Sequence, residues 1–136
     1  MNLPATLTDE NAAVGAAWAC LLWTTPADSD DDPNFSGCLD GLDYPTPGPG
    51  VMMRLREYVG AFITEAVADL TEAGITAAQA GHDLILTANG HGTGFWDRGH
   101  GAIGERLSDA ARKLGPVEAY RGDDGLIYVA GWEVTA

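Results

Sequence analysis

The stretch AAQAGHDLILTANGHGTGFWDRGHG, residues 77–101, decides how this chain is read. Its centre, Asp83-Leu84-Ile85-Leu86-Thr87, is a short apolar run with turn residues around it, which reads as a buried strand. A helical turn over Ile75–Gly81 precedes it. The segment that follows, 88–101, carries five glycines, two histidines, a Phe-Trp pair, an aspartate and an arginine in fourteen positions.

Outward from that segment the pattern is clearer. Ile103, Leu107, Ala110 and Leu114 recur at helical spacing, Gly115-Pro116 ends the helix, and Asp109 stands four residues before Lys113 as a favourable pair. "VEAYRGDDGLIYVAGW" then predicts a β-hairpin, with strands near 117–121 and 126–131 around Gly122-Asp123-Asp124-Gly125. On the amino-terminal side, Leu55, Val59, Phe62, Ile63, Ala66 and Leu70 form one apolar stripe, so a helix is expected over 51–73, stopped by Gly74. A first helix is expected over 9–24, capped by Thr8 and ended by Pro26. Between them, 26–50 is an acidic loop rich in proline, glycine and aspartate. The order α-α-β-α-β-β implies one α+β domain over 1–136, with helices on one face of a small, mostly antiparallel three-stranded sheet.

Twenty acids against seven bases give a net charge of −13, and residues 1–53 contain no Lys or Arg at all. Such a surface disfavours direct nucleic-acid binding, which relies on cations neutralising phosphates, and disfavours anionic membranes. The longest apolar run, 12–23, is too short to span a bilayer, which takes about 20 residues. No basic leader opens the sequence. Cys20 and Cys38 make neither a disulfide framework nor a zinc knuckle, and read as reduced thiols of a cytosolic protein.

No catalytic residue is assigned. There is no G-x-S-x-G, and Ser29, Ser36 and Ser108 lack an activating context. Cys20 sits among apolar residues that make a thiol inert. The glycine loop lacks the third glycine of G-x-G-x-x-G, that place being Phe95, so no nucleotide or other cofactor is expected. His82, Asp83, His91, Asp97 and His100 are possible ligands, but their spacing matches no known metal signature, and no metal is assigned. The structural reading of the loop is that its glycines let the backbone bend and Phe95 and Trp96 tie the bend to the core. Asp97 then caps local amides and pairs with Arg98 or another cation.

The loop and its flanks resemble a family of small uncharacterised phage and prophage proteins. Gly81-His82-Asp83, Asn89-Gly90-His91-Gly92, Gly94-Phe95-Trp96-Asp97-Arg98-Gly99 and Asp123-Asp124-Gly125 carry the likeness, and His100 departs from it, standing where that pattern has an aliphatic residue. The resemblance implies a phage accessory protein in the cytoplasm of an infected bacterium, and brings no activity with it. With the charge pattern, it leads to a non-enzymatic protein that binds a basic host or defence protein, as an inhibitor of the anti-restriction or anti-CRISPR type that imitates nucleic acid. The expected surface is Asp28, Asp30, Asp31 and Asp32 with the ridge Glu65, Asp69 and Glu72. The competing reading is a small ligand- or metal-binding domain, an enzyme among its forms, centred on the 89–100 loop with His82, Asn89, His91, Phe95, Trp96, Asp97 and Arg98.

Overall fold

In a computed structural model, which describes residues 3–27, 37–42, 45–91 and 94–133, Asp9 opens helix α1 (Glu10–Thr24). Its carboxylate accepts the Ala12 N–H at 3.0 Å, one of the amides a helix start leaves without a partner. The cap is thus Asp9 and not Thr8, whose hydroxyl turns back to the Ala5 carbonyl at 3.0 Å. At the other end the Thr24 and Thr25 hydroxyls donate to the carbonyls of Cys20 and Leu21, at 2.8 and 2.7 Å. Pro26 follows.

Helix α2 (Val51–Ala73) has the bounds its stripe predicts, and Val51, Leu55, Val59, Phe62, Ile63, Ala66 and Leu70 are all buried. Gly74 ends it with a left-handed φ of 71°. The Ile75 amide then reaches back to the Leu70 carbonyl at 3.0 Å, which brings buried Ile75 against the core.

The strand expected at 83–87 is not a strand. Those residues are the second half of helix α3 (Ala77–Ala88). Thr76 caps it by accepting the Gln79 N–H at 3.2 Å, and Ala77-Ala78-Gln79-Ala80 are strong helix formers. Ala77, Ala80, Gly81, Asp83, Leu84, Ile85, Leu86 and Thr87 are all buried, and the less buried face is narrow, carrying Ala78, Gln79 and His82. All five residues of 83–87 are buried, so that short window carries no 3.6-residue signal and looks like a buried strand in sequence. Gly81 allows this burial, since a Cβ there would overlap the Ala13 backbone carbonyl of α1.

Helix α4 (Ala102–Leu114) buries Gly104, Leu107, Ser108 and Ala111 against α2 and α3. Arg112 and Lys113 occupy its last turn, where the helix dipole favours cations. The expected Asp109–Lys113 pair does not form. Asp109 lies 3.7 Å from Arg112, and Lys113 reaches Glu65 instead.

The chain is α+β, with short strands beside the helices. Strands β1 (Pro26–Ala27) and β2 (Gly37–Cys38) pair antiparallel inside the supposed loop. Strands β3 (Ala119–Arg121) and β4 (Ile127–Val129) form the expected hairpin, with Tyr120 opposite Tyr128. Pro47 adds a parallel bridge on Ile127, through an Ile127 amide to Thr46 carbonyl bond and a Gly48 amide to Ile127 carbonyl bond, both 2.8 Å. The acids at 28, 30, 31 and 32 lie outside the described residues.

One apolar cluster joins all four helices to Val117 and Val129 of the hairpin segment. At its centre the Phe62 and Phe95 rings stack at 5.4 Å, fixing the glycine loop to α2. Each such buried side chain contributes about 1.5–3 kcal/mol.

Candidate functional site

The loop motif is tied to α3 by polar bonds. Asp83, with a side chain only 1% exposed, projects from α3 and meets Arg98 from the loop. Arg98 donates twice, Nη2 to Oδ1 at 2.9 Å and Nε to Oδ2 at 3.2 Å, and Gln79 Nε2 adds a third bond to Oδ2 at 2.8 Å. This is the bidentate fork that guanidinium and carboxylate planes favour. The bond to Asp83 and its charge raise the Arg98 pKa further, so the guanidinium stays charged.

One turn along α3, the buried Thr87 hydroxyl oxygen accepts the Phe95 N–H at 3.2 Å. Gly94 makes the approach possible, because a Cβ there would overlap that oxygen. Asn89 acts like a strip of backbone. Its Nδ2 donates to the Val117 carbonyl at 2.9 Å and its Oδ1 accepts the Val117 amide at 2.7 Å, tying the end of α3 to the segment that enters β3. The His91 amide closes α3 by donating to the Leu86 carbonyl at 2.8 Å.

The remaining motif side chains do not meet. His82 lies against the Trp23 ring at 6.4 Å. His91 lines a recess of about 250 Å³ with Thr24, Thr25 and Glu118, near the end of α3. Arg98 and His100 line another, about 350 Å³, with Thr76 and Gln79 at the start of α3. Twelve helical residues at about 1.5 Å each put those two recesses roughly 18 Å apart. Among the described residues no three His, Cys, Asp or Glu side chains stand together as a metal would need.

Two local expectations are corrected. Phe95 is fully buried, but Trp96 is 51% exposed and does not tie the bend to the core. Arg98 forks onto Asp83, a partner on α3, while Asp97 remains exposed.

No protein-family model matches the chain, and no curated protein or solved structure matches it either. Its own chemistry is therefore the guide to function.

The expected ridge on α2 is tied to α4. Arg106 grips Asp69 through Nη2 at 2.8 Å and through Nε, and Lys113 stands 3.5 Å from Glu65. The Arg106 bond lowers the Asp69 pKa, and Glu72 lies within the field of the same guanidinium. Glu65 and Asp69 are therefore paired, and of the three only Glu72 has no ion pair among the described residues. Of the seven basic residues, six are in ion pairs, and Arg121 has none among the described residues.

Acids without an ion pair lie at Asp9, Asp40, Glu72, Asp97 and Glu105 and also in the hairpin segment, where Glu118, Asp123, Asp124 and Glu133 are all exposed. Tyr120 and Tyr128 face each other across the strands with rings 5.9 Å apart. The Tyr120 hydroxyl donates to Glu133 at 2.7 Å and the Tyr128 hydroxyl donates to Asp124. Those bonds lower the pKa of both carboxylates and raise both phenols, which keeps the acids charged. This grouping was missed in the sequence. The available signal was that Tyr120 and Tyr128 each stand four residues from Asp124, on the same side of an alternating hairpin. Cys20 is no nucleophile, since burial first and the Asp83 charge second push its pKa up to about 11.

Proposed function

We propose that this protein acts by binding rather than by catalysis, presenting an acidic surface to a partner protein with a basic one. The observation that carries the reading is where negative charge remains after internal pairing. Six of the seven cations are engaged in ion pairs along the helices, while the carboxylates at 118–133, beside the single cation Arg121, have no ion-pair partner among the described residues. Net charge of one sign steers an oppositely charged partner and raises its association rate.

The polar groups beside the motif loop also support this reading, because Asp83, Thr87 and Asn89 hold backbone and helices together. The likeness of that loop to phage proteins would make the partner a host or defence protein of an infected bacterium. Imitation of nucleic acid would need a row of free acids, which Glu65 and Asp69 do not supply while bound to Lys113 and Arg106.

Affinity capture from a bacterial lysate with two baits tests the proposal. One is the wild-type chain, and the other has Glu118→Gln, Asp123→Asn, Asp124→Asn and Glu133→Gln together. Basic proteins held by the first bait, released by salt and not held by the second are the expected result. Partners that are not basic, or that both baits hold equally, would overturn it.

A further inference from the structure

We infer that the outer edge of β3 docks an extended segment of the partner, which adds to the hairpin as a further strand. One basic side chain of that segment enters the recess beside Ala119. The inference rests on the acidic-surface reading above, and gives it a place and a binding mode. In an antiparallel pair, alternate residues turn their backbone groups toward the neighbouring strand and away from it. The Ala130 amide donates to the Glu118 carbonyl at 2.9 Å and the Gly122 amide to the Leu126 carbonyl at 2.8 Å, with Tyr120 opposite Tyr128 between them. Glu118, Tyr120 and Gly122 therefore face β4, and Val117, Ala119 and Arg121 turn their amides and carbonyls outward. The far edge of β4 is already taken, since the Ile127 amide donates to Thr46 and its carbonyl accepts from Gly48. The outer edge of β3 is left open.

The first outward rung shows that this edge pairs. The Asn89 side-chain amide meets both the amide and the carbonyl of Val117, as a neighbouring strand would. The next two rungs, the amides and carbonyls of Ala119 and Arg121, have no partner among the described residues. Such an unpaired row is a template for an extended chain, whose main-chain bonds supply affinity while side-chain pockets supply specificity. A recess of about 250 Å³ adjoins this edge, lined by Thr24, Thr25, Pro26, His91, Glu118 and Ala119 among others. Alternate side chains of an added strand point to one face, so one of them meets the recess. A cation suits it. Glu118 has no ion pair, and Thr24 and Asn89 bring the C-terminal ends of α1 and α3, the negative ends of their dipoles. Among the described residues no lysine or arginine lines the recess, and the Arg121 guanidinium lies toward Gly125 of the turn. A second copy of this chain is a poorer occupant, because it would bring its own net charge of −13 to a surface of the same sign.

The test is isothermal titration and residue-level amide exchange of the full chain at low salt with three peptides. One alternates lysine and valine, the second is the same peptide methylated on every backbone nitrogen, and the third alternates glutamate and valine. The first is expected to bind and to slow exchange at Ala119 and Arg121, and the glutamate peptide is expected not to bind. Methylation should weaken binding about 5- to 100-fold, the range for two net hydrogen bonds. Ala119→Pro removes an outward N–H and no bond to β4, and should weaken the lysine peptide roughly 2- to 10-fold. Thermal melts establish that this variant is folded, and the methylated peptide on the wild-type chain decides the matter if it is not. Equal binding of the methylated peptide, wild-type affinity in folded Ala119→Pro, or binding without slowed exchange at Ala119 and Arg121 overturns the inference while the acidic-surface reading stands. Equal binding of the glutamate peptide overturns the acidic-surface reading and the basic occupant with it. Slow exchange at both amides in the free chain, with a dimer in sedimentation, gives the edge to a second copy and overturns the inference. If no peptide binds the wild type, both fall.

Discussion

Removing the Arg98 side chain would leave the buried Asp83 carboxyl without its cation and held only by Gln79. Breaking a buried ion pair from one side costs about 3–5 kcal/mol, because the remaining charge has lost its compensation. Two features reduce that here. The Arg98 side chain is 40% exposed, so water can reach part of the space it leaves, and the Gln79 amide stays at 2.8 Å from the carboxylate. About 2–3 kcal/mol is therefore expected for Arg98→Ala, a large part of the stability of a domain this size. Asp83→Asn removes the buried charge along with its attraction, and should cost about 1–2 kcal/mol. In that background Arg98 has no charge left to neutralise, so its removal should cost under about 1 kcal/mol. Urea unfolding of the four proteins of this cycle, followed by circular dichroism and tryptophan emission, gives the coupling directly. An Arg98→Ala variant within about 0.5 kcal/mol of wild type would refute the reasoning, as would the same loss in both backgrounds.

Further tests follow from single side chains. Gly81→Ala would gain roughly 1 kcal/mol of helix propensity in isolation, yet the Cβ would strike the Ala13 carbonyl, so a net loss of about 1–3 kcal/mol in urea unfolding is expected; any gain would mean that α1 and α3 are not so close. Ser108→Ala should raise stability by about 1 kcal/mol, since the buried Ser108 hydroxyl has no hydrogen-bond partner among the described residues; a lower melting temperature would count against that. Burial pushes the Tyr58 pKa up to about 12, and its hydroxyl donates to the Gly115 carbonyl at 2.6 Å. A raised phenol stabilises the fold below its unfolded value of about 10 and loses that contribution as pH climbs toward 12, so the urea midpoint should fall over that window. Tyr58→Phe should flatten that fall, and an unchanged slope would contradict the assignment. With the raised Cys20 thiol buried, a thiol reagent near neutral pH should label the half-buried Cys38 first, and equal labelling of both would show that the core opens.

Where an element keeps one polar face, its sequence is readable. Helix α2 carries a seven-residue buried stripe and a glycine stop, and its bounds follow from those alone. The hairpin announces itself through its Gly-Asp-Asp-Gly turn. Helix α3 was hidden because its second half, 83–87, is buried at every position against neighbouring helices, and Gly81 reads as a boundary when it is a point of close approach. That one misreading also concealed the clasp. Asp83 and Arg98 are fifteen residues apart, and only a helical Asp83 shows why the loop must carry a cation. Asn89 was readable as a polar loop residue but not as a partner of Val117, since a side-chain amide imitating backbone leaves no pattern. The acidic ridge was legible as charge on α2, but the cations facing it come from α4, and only tertiary packing reveals that they neutralise it.

Amide hydrogen exchange at the Phe95, His91 and Val117 positions tests most directly whether the glycine loop is a clasp and not an open site. Their amides donate to Thr87, Leu86 and Asn89, and should exchange nearly as slowly as the core amides of α2, with protection at Phe95 lost in Thr87→Val and at Val117 in Asn89→Ala. Exchange at the pace of an unstructured loop in the wild-type protein would contradict the assignment of these residues to holding the fold.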